Sequence, residues 1–272
     1  MYIVTFALFL FPSEVYSAVD TTVNSDGFIF RCYTSSYDSS LFKADVVEVC
    51  TDTFHISIPQ WVEDGQGNLY KVSYISKEAF SKLDCENLNI TYPHSISHTG
   101  YQAFGGNENI KVLSINGAIT HISSFTFAHC SSLEHLKVSS VEVVGYGAFL
   151  RCKSLKDISF IDSVKVIEEH AFAECGNIDT LVMPDCLCEL GFRAFAHCSN
   201  LKFIKFSKSI KYIRPLTFDH CIGLTEIYFP ENIERIGRNA FRGCSNLKKV
   251  KVSKNTVVGE NTFPDDTIVE IY

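Results

Sequence analysis

The chain is poor in the features that would give an easy reading. In 272 residues it has one tryptophan, two methionines and seven prolines. Its longest apolar run, Tyr2 to Phe11, is ten residues, too short to cross a bilayer. No second run approaches spanning length, so no transmembrane helix is expected. Net charge is −7, which argues against a nucleic-acid-binding domain, normally basic. There is no Gly-rich phosphate loop, paired acidic motif, zinc-protease helix or nucleophile elbow. These absences leave an enzyme as the weakest reading, with no cofactor and no metal expected.

What is present is a repeat. Phenylalanine recurs at Phe80, Phe104, Phe127, Phe149, Phe172, Phe195, Phe218, Phe241 and Phe263, with spacings of 24, 23, 22, 23, 23, 23, 23 and 22. A cysteine follows three places later at Cys130, Cys152, Cys175, Cys198, Cys221 and Cys244. An aliphatic comes three further on, from Leu133 to Leu247, and another after three more, from Leu136 to Val250. A fixed period near 23 over nine units predicts a solenoid, in which each unit buries its apolar residues only against its neighbours.

One unit, Ser163 to Pro184, shows the expected local structure. Val164 and Ile167 open an extended piece. Glu168 to Cys175 carries helix formers and predicts a turn or two of helix. Ile178 to Met183 predicts a strand with Ile178, Leu181 and Met183 inward and Thr180 and Val182 outward. The fold class expected is an α/β repeat solenoid. A parallel sheet covers one face, with short strands and helical turns on the other.

Three segments are expected. Residues 1–18 read as a secretory signal: an apolar run, Pro12, then small residues at Ser17 and Ala18. The run has no Lys or Arg ahead of it, and the competing reading is a buried first strand. Residues 19–53 fall outside the repeat. Phe28 to Tyr33 and Val46 to Val49 read as strands joined by a turn at Ser35 to Ser40, and together they would cap the open end of the stack. Residues 54–272 form the solenoid, whose first unit carries a hairpin insertion at Glu63 to Asn68.

The six-cysteine ladder lies between an inward Phe and an inward Leu in each unit. Side chains at equivalent positions of adjacent rungs are parallel and about 4.8 Å apart, against about 3.8 Å between the β-carbons of a disulfide. Buried, reduced thiols are therefore expected. His129, His197 and His220 each precede a ladder cysteine. Neighbours in sequence point to opposite sides, so a Cys–His dyad is not expected. Cys186 and Cys188 stand where other units carry polar residues and should face solvent. Cys32 and Cys50, both in the cap, are the disulfide candidates. Asn89, in Asn89-Ile90-Thr91, is the single glycosylation candidate.

The unit pattern Ala-Phe-x-x-Cys-x-x-Leu-x-x-Ile-x-Phe, joined by Val-x-x-Ile-Gly, resembles the BspA-like leucine-rich repeat proteins. Gly145, Gly191 and Gly237 stand at the family's glycine, whereas Glu168 and Arg214 depart from it. The resemblance covers about residues 54–272. It implies a secreted or surface antigen of bacteria or mucosal protists that adheres to host matrix or neighbouring cells.

Two columns of outward strand positions offer a recognition face. One runs Val112, His135, Asp157, Thr180, Phe203, Glu226, Lys249. The other runs Ser114, Lys137, Ser159, Val182, Lys205, Tyr228, Lys251. Aromatics and cations meet in the last rungs, so Phe203, Lys205, Tyr228, Lys249 and Lys251 are the expected partner-binding residues. Residues 201–272 carry 12 basic and 8 acidic groups, hence +4, which favours an acidic glycan or acidic protein surface. The expected function is non-enzymatic recognition outside the cell. The alternative is an intracellular, cytoplasmic scaffold for protein interactions.

Overall fold

The computed structural model describes residues 17–34, 42–50 and 54–272. Most of the leader segment and the turn at Ser35 to Ser40 lie outside these residues.

Six strands build the N-terminal part: β1 (Ser17–Ser25), β2 (Phe28–Thr34), β3 (Phe42–Val49), β4 (His55–Ser57), β5 (Trp61–Glu63) and β6 (Leu69–Ile75). Both strands expected in the cap are present, and the insertion forms a third hairpin. All of these except β4 join in one sheet ordered β1-β2-β3-β6-β5, in which only the β3–β6 pair is parallel. Asp64 organises the β5–β6 turn. Its carboxylate accepts the Gln66 and Asn68 backbone N–H, the Asn68 amide and the Tyr70 hydroxyl, at 2.9 to 3.0 Å.

Beyond the cap, two parallel ladders run the length of the chain. The first starts with β4 and continues through Asn87–Thr91, Val112–Asn116 and His135–Val138. It resumes in Thr180–Val182 with Phe203–Lys205, then in Glu226–Tyr228, Lys249–Val252 and Ile268–Ile271. The second, of two-residue strands, links His121–Ile122, Val143–Val144, Val166–Ile167 and Glu189–Leu190, then Tyr212–Ile213, Arg235–Ile236 and Val257–Val258. Leu181 is buried between exposed Thr180 and Val182, which is the alternation of a strand with one solvated face.

The expected α/β class does not hold: the solenoid is β and turn. The described residues contain no α-helix, and the one helical piece is the 3-10 turn Ser159–Ser163. The Glu168 to Cys175 arc shows why. His170 and Glu174 have φ of 57° and 61°, in the left-handed region, which interrupts a right-handed helix every four residues. Its backbone N–H groups also look elsewhere. Those of His170, Phe172 and Glu174 donate to the carbonyls of Phe192, Ala194 and Ala196 on the next rung, at 2.8 to 3.0 Å. Only the intervening N–H groups close tight turns, as in Ala173 to His170 at 3.0 Å. Ser159 is a second correction, since it leaves the outward column. Asp157 accepts its backbone N–H at 3.0 Å, and this local bond favours a turn over the strand found in other rungs.

The core is one continuous spine. The repeat phenylalanines stack rung on rung, from 4.5 Å between the Phe80 and Phe104 rings to 5.8 Å between Phe195 and Phe218. These distances follow the spacing of adjacent strands, about 4.8 Å. Each buried ring contributes about 2 kcal/mol of transfer free energy. The glycine of the inter-unit phrase has a steric cause. A β-carbon on Gly191 would stand 2.4 Å from the backbone of Glu168 and Glu169 in the rung below, and one on Gly237 would meet Pro215 N at 2.6 Å.

Candidate partner-binding face

The expected recognition residues lie together on the last rungs of the first ladder. Thr180 pairs with Phe203 and Val182 with Lys205. One rung on, Glu226 pairs with Lys249 and Tyr228 with Lys251. Phe203 and Tyr228 are 53% and 51% exposed, which is unusual for rings whose neighbours on the same strands are buried. Lys205 is exposed, and Lys249 and Lys251 are half-buried. Alternate residues of one strand stand about 7 Å apart on the same face, so the side chains form a grid on rigid backbone.

The electrostatics of this grid differ from a simple basic patch. Glu270 of the final strand sits opposite Lys251, with its carboxylate 2.7 Å from Lys249 Nζ and 3.8 Å from Lys251 Nζ. The hydrogen bond from Lys249 lowers the Glu270 pKa, and the same bond raises that of Lys249. The Lys251 ammonium also lies over the Tyr228 ring at 5.4 Å, a cation–π contact. The Tyr228 hydroxyl donates to Glu226 at 2.9 Å, which raises the pKa of the phenol. Lys205 makes no ion pair among the described residues. The face is therefore two exposed rings set among partly compensated charges. Glu270 was hidden from the repeat arithmetic because its strand comes early: Val269, which pairs with Val250, lies six places after Phe263, whereas Val250 lies nine after Phe241.

The other predicted residues fall as follows. All six ladder cysteines are buried, with burial first among the causes that raise their pKa, to about 12 for Cys130, Cys198 and Cys244. Each thiol donates to the carbonyl of the Phe one rung below, at 3.0 to 3.3 Å. Asn107 takes the same place in the Phe104 unit, and its amide donates to the carbonyls of Phe80 and Leu83 at 3.2 and 2.9 Å. The sequence located the thiols but not this bond. Cys186 and Cys188 are exposed.

Cys32 and Cys50 are not bonded to each other. Cys32 is buried opposite Ala44, six residues along the strand from Cys50, or about 20 Å. No disulfide can join them in this register. Asn89 is half-buried in mid-strand, paired on both sides, and its side-chain oxygen accepts from Asn116 at 2.5 Å.

Two further aromatic groups, Trp61 and a half-buried row on the turns, were not expected from the sequence. Trp61, the only tryptophan, is 50% exposed and stands beside Lys71, which pairs on its other side with Lys43. On the turn ridge, Tyr101, Phe125, Tyr146, His170 and Phe192 contact in succession, with ring centroids 5.1 to 6.0 Å apart. They alternate between three and two places ahead of the repeat phenylalanines, so no single repeat position announces them.

The family model for the BspA type leucine rich repeat region matches six times, over residues 68–179 and 165–272. The chain belongs to the BspA-type leucine-rich repeat family. Leucine-rich repeat regions of this family are generally non-enzymatic scaffolds for binding proteins. Solved structures share the fold. A leucine-rich repeat protein from Bacteroides ovatus is 20% identical with a TM-score of 0.63, the match covering 92% of this chain and 71% of that one. The T. pallidum leucine-rich repeat protein is 20% identical with a TM-score of 0.56, over 84% and 91% of the two chains. The pneumococcal vaccine antigen PcpA is 16% identical with a TM-score of 0.50, over 94% and 89%. No curated protein matches the chain. Among the described residues of this BspA-type chain, no helix is long and apolar enough to cross a membrane.

Proposed function

We propose that the chain is a non-enzymatic recognition protein, secreted or held at a cell surface, that adheres to a protein or acidic glycan of a host or neighbouring cell through the C-terminal end of its open sheet. The observation that carries this reading is the pair of half-exposed rings, Phe203 and Tyr228, on adjacent rungs beside Lys205, Lys249 and Lys251. Aromatic rings held on a sheet bind without the entropy cost of ordering a loop. They are also the side chains most often found at the centre of protein interfaces. Lys205 lacks an ion-pair partner among the described residues and suits an acidic group, while Glu270 limits the attraction of the other two lysines. A protein surface with apolar and acidic groups therefore fits better than a uniformly anionic polymer.

The test replaces Phe203 and Tyr228 with Ala and Lys205, Lys249 and Lys251 with Glu, after circular dichroism has shown the fold intact. Binding to host-cell surfaces or matrix should be lost. Undiminished binding by the folded variant rejects this face. The export part of the proposal is tested separately by the mass of the native protein, which should lack about 17–18 residues if a leader is removed. An intact Met1 rejects it and favours the intracellular scaffold.

A further inference from the structure

His197 and His220 stand on adjacent rungs with parallel rings, their centroids 4.8 Å apart and their planes 10° apart. Both are exposed, and between them lies a carboxylate that is not: the Asp219 side chain is 1% exposed. His220 Nδ1 is 2.9 Å from Asp219 Oδ1, and His197 Nε2 is 3.9 Å from Oδ2. Arg242, one rung on, closes the other edge, with Nε and Nη2 each 2.9 Å from a carboxylate oxygen.

The repeat itself says what the fold needs at the Asp219 position. The equivalent residues in the preceding units are Ala128, Leu150, Ala173 and Ala196. An apolar side chain therefore completes the rung, and a carboxylate there must be desolvated, a cost that its partners have to offset. The acid stands where two histidines stack at this position of the repeat, whereas His129, at the same position, has Ala128 before it and Arg151 on the rung above. The donor atoms of His197, Asp219 and His220 all lie within 4.8 Å of one another.

We propose that His197 Nε2, His220 Nδ1 and the Asp219 carboxylate form a zinc-binding site, with the Arg242 guanidinium supplying the compensating charge when zinc is absent. Imidazole nitrogen and carboxylate oxygen are zinc's usual ligands outside cysteine sites, at about 2.0–2.2 Å, and three protein ligands leave an open position. Those bond lengths ask the donor atoms to stand a little more than 3 Å apart. The two exposed rings can close the gap by turning about their side-chain bonds, with the rungs fixed. A carboxylate has about four lone-pair directions, so one Asp219 oxygen can face zinc while the other keeps Arg242. Beside His197 the surface opens into a shallow groove lined by Lys153, Glu174 and Asn200, which gives the open position access to water or to a partner's own ligand.

The experiment is a zinc titration of the full-length, reduced chain by calorimetry, with cobalt(II) as a spectroscopic substitute. One ion per chain is expected, with a cobalt spectrum of nitrogen and oxygen ligation. His197→Asn and His220→Asn retain a residue tolerant of the left-handed backbone, φ 61° and 57°. Each should weaken binding about tenfold or more, since loss of even an outer-shell partner costs about 10–100-fold. His129→Asn should change nothing. Arg242→Gln removes a positive charge from the site, so it should bind zinc more tightly and gain more melting temperature from zinc than the parent does. Three results would overturn the site: undiminished binding by the double histidine variant, a thiolate-to-cobalt charge-transfer band assigning the ion to Cys186 and Cys188, or no gain in affinity with Arg242→Gln.

Discussion

The Cys175 thiol donates a hydrogen bond to the Phe149 carbonyl, 3.1 Å away on the rung below. That carbonyl already accepts the Cys152 backbone N–H at 3.0 Å, so the thiol uses its second lone pair. The ladder therefore ties each unit to the previous one at the same place where the phenylalanine rings stack. Burial, and after it the neighbouring Cys152 and Cys198, hold the Cys175 pKa well above the ordinary value. Since the thiolate is the nucleophile, Cys175 and Cys198 should resist alkylation in the folded chain, while exposed Cys188 reacts. Peptide mass spectrometry after a brief iodoacetamide pulse reads this directly. Rapid labelling of Cys175 under native conditions would show that the ladder opens.

Gly191→Ala should destabilise the stack for a reason of space alone. The added carbon meets the backbone at 2.4 Å, and backbone cannot rotate away as a side chain can. Forcing the rungs apart costs about 1–3 kcal/mol, as in other over-packed cores. Gly65 has nothing within 4 Å of the same added carbon, so Gly65→Ala is the control and should leave the melting temperature nearly unchanged.

The sequence made the spine legible because each inward position recurs, and burial follows period. Phe172, Leu181 and Met183 are where the pattern of one unit puts them. The turns were not legible for a different reason. Ala171, Phe172 and Ala173 favour a helix by composition, yet His170 and Glu174 beside them are left-handed without being glycine. No local propensity announces that state; the hydrogen bonds to the next rung impose it. The outward placement of Phe203, Lys205, Tyr228, Lys249 and Lys251 could be read from their phase, whereas that of Glu270 could not. The Asp219 cluster was hidden too, because its members belong to three units and adjacency along the chain says only that His220 and Asp219 are neighbours.

Acid should loosen the β5–β6 hairpin later than an ordinary carboxylate would allow. Four hydrogen bonds to Asp64, those from Asn68 foremost, lower its pKa to about 2. A depressed carboxylate stabilises the fold above its unfolded value, near 3.8, and that contribution is lost as pH falls toward the folded value. The melting temperature of Asp64→Asn should thus lie below that of the parent by a constant amount from pH 7 to about 5, and the difference should shrink between about 4 and 2. A difference that persists unchanged at pH 2 would mean that the charge of Asp64 is not what holds the turn.

Glu270 gives the proposed partner-binding face an adjustable charge. Its carboxylate engages Lys249 at 2.7 Å and Lys251 at 3.8 Å, so each ammonium must leave it, or share it, to meet an acidic ligand. All three side chains are part-exposed, so the ion pairs themselves contribute little to stability. Glu270→Gln should therefore leave the melting temperature almost unchanged and free both lysines. The variant should elute from a heparin column at higher salt than the parent, and Lys205→Glu should elute at lower salt. In a binding assay at fixed salt, the effects of both substitutions should shrink as the screening length falls below about 8 Å, the value at 0.15 M. Two rings remain exposed in each of these proteins, so a protein partner held by Phe203 and Tyr228 should lose affinity with Phe203→Ala far more than it responds to Glu270→Gln. The reverse order would make the face a charge-reading surface and its partner an acidic glycan.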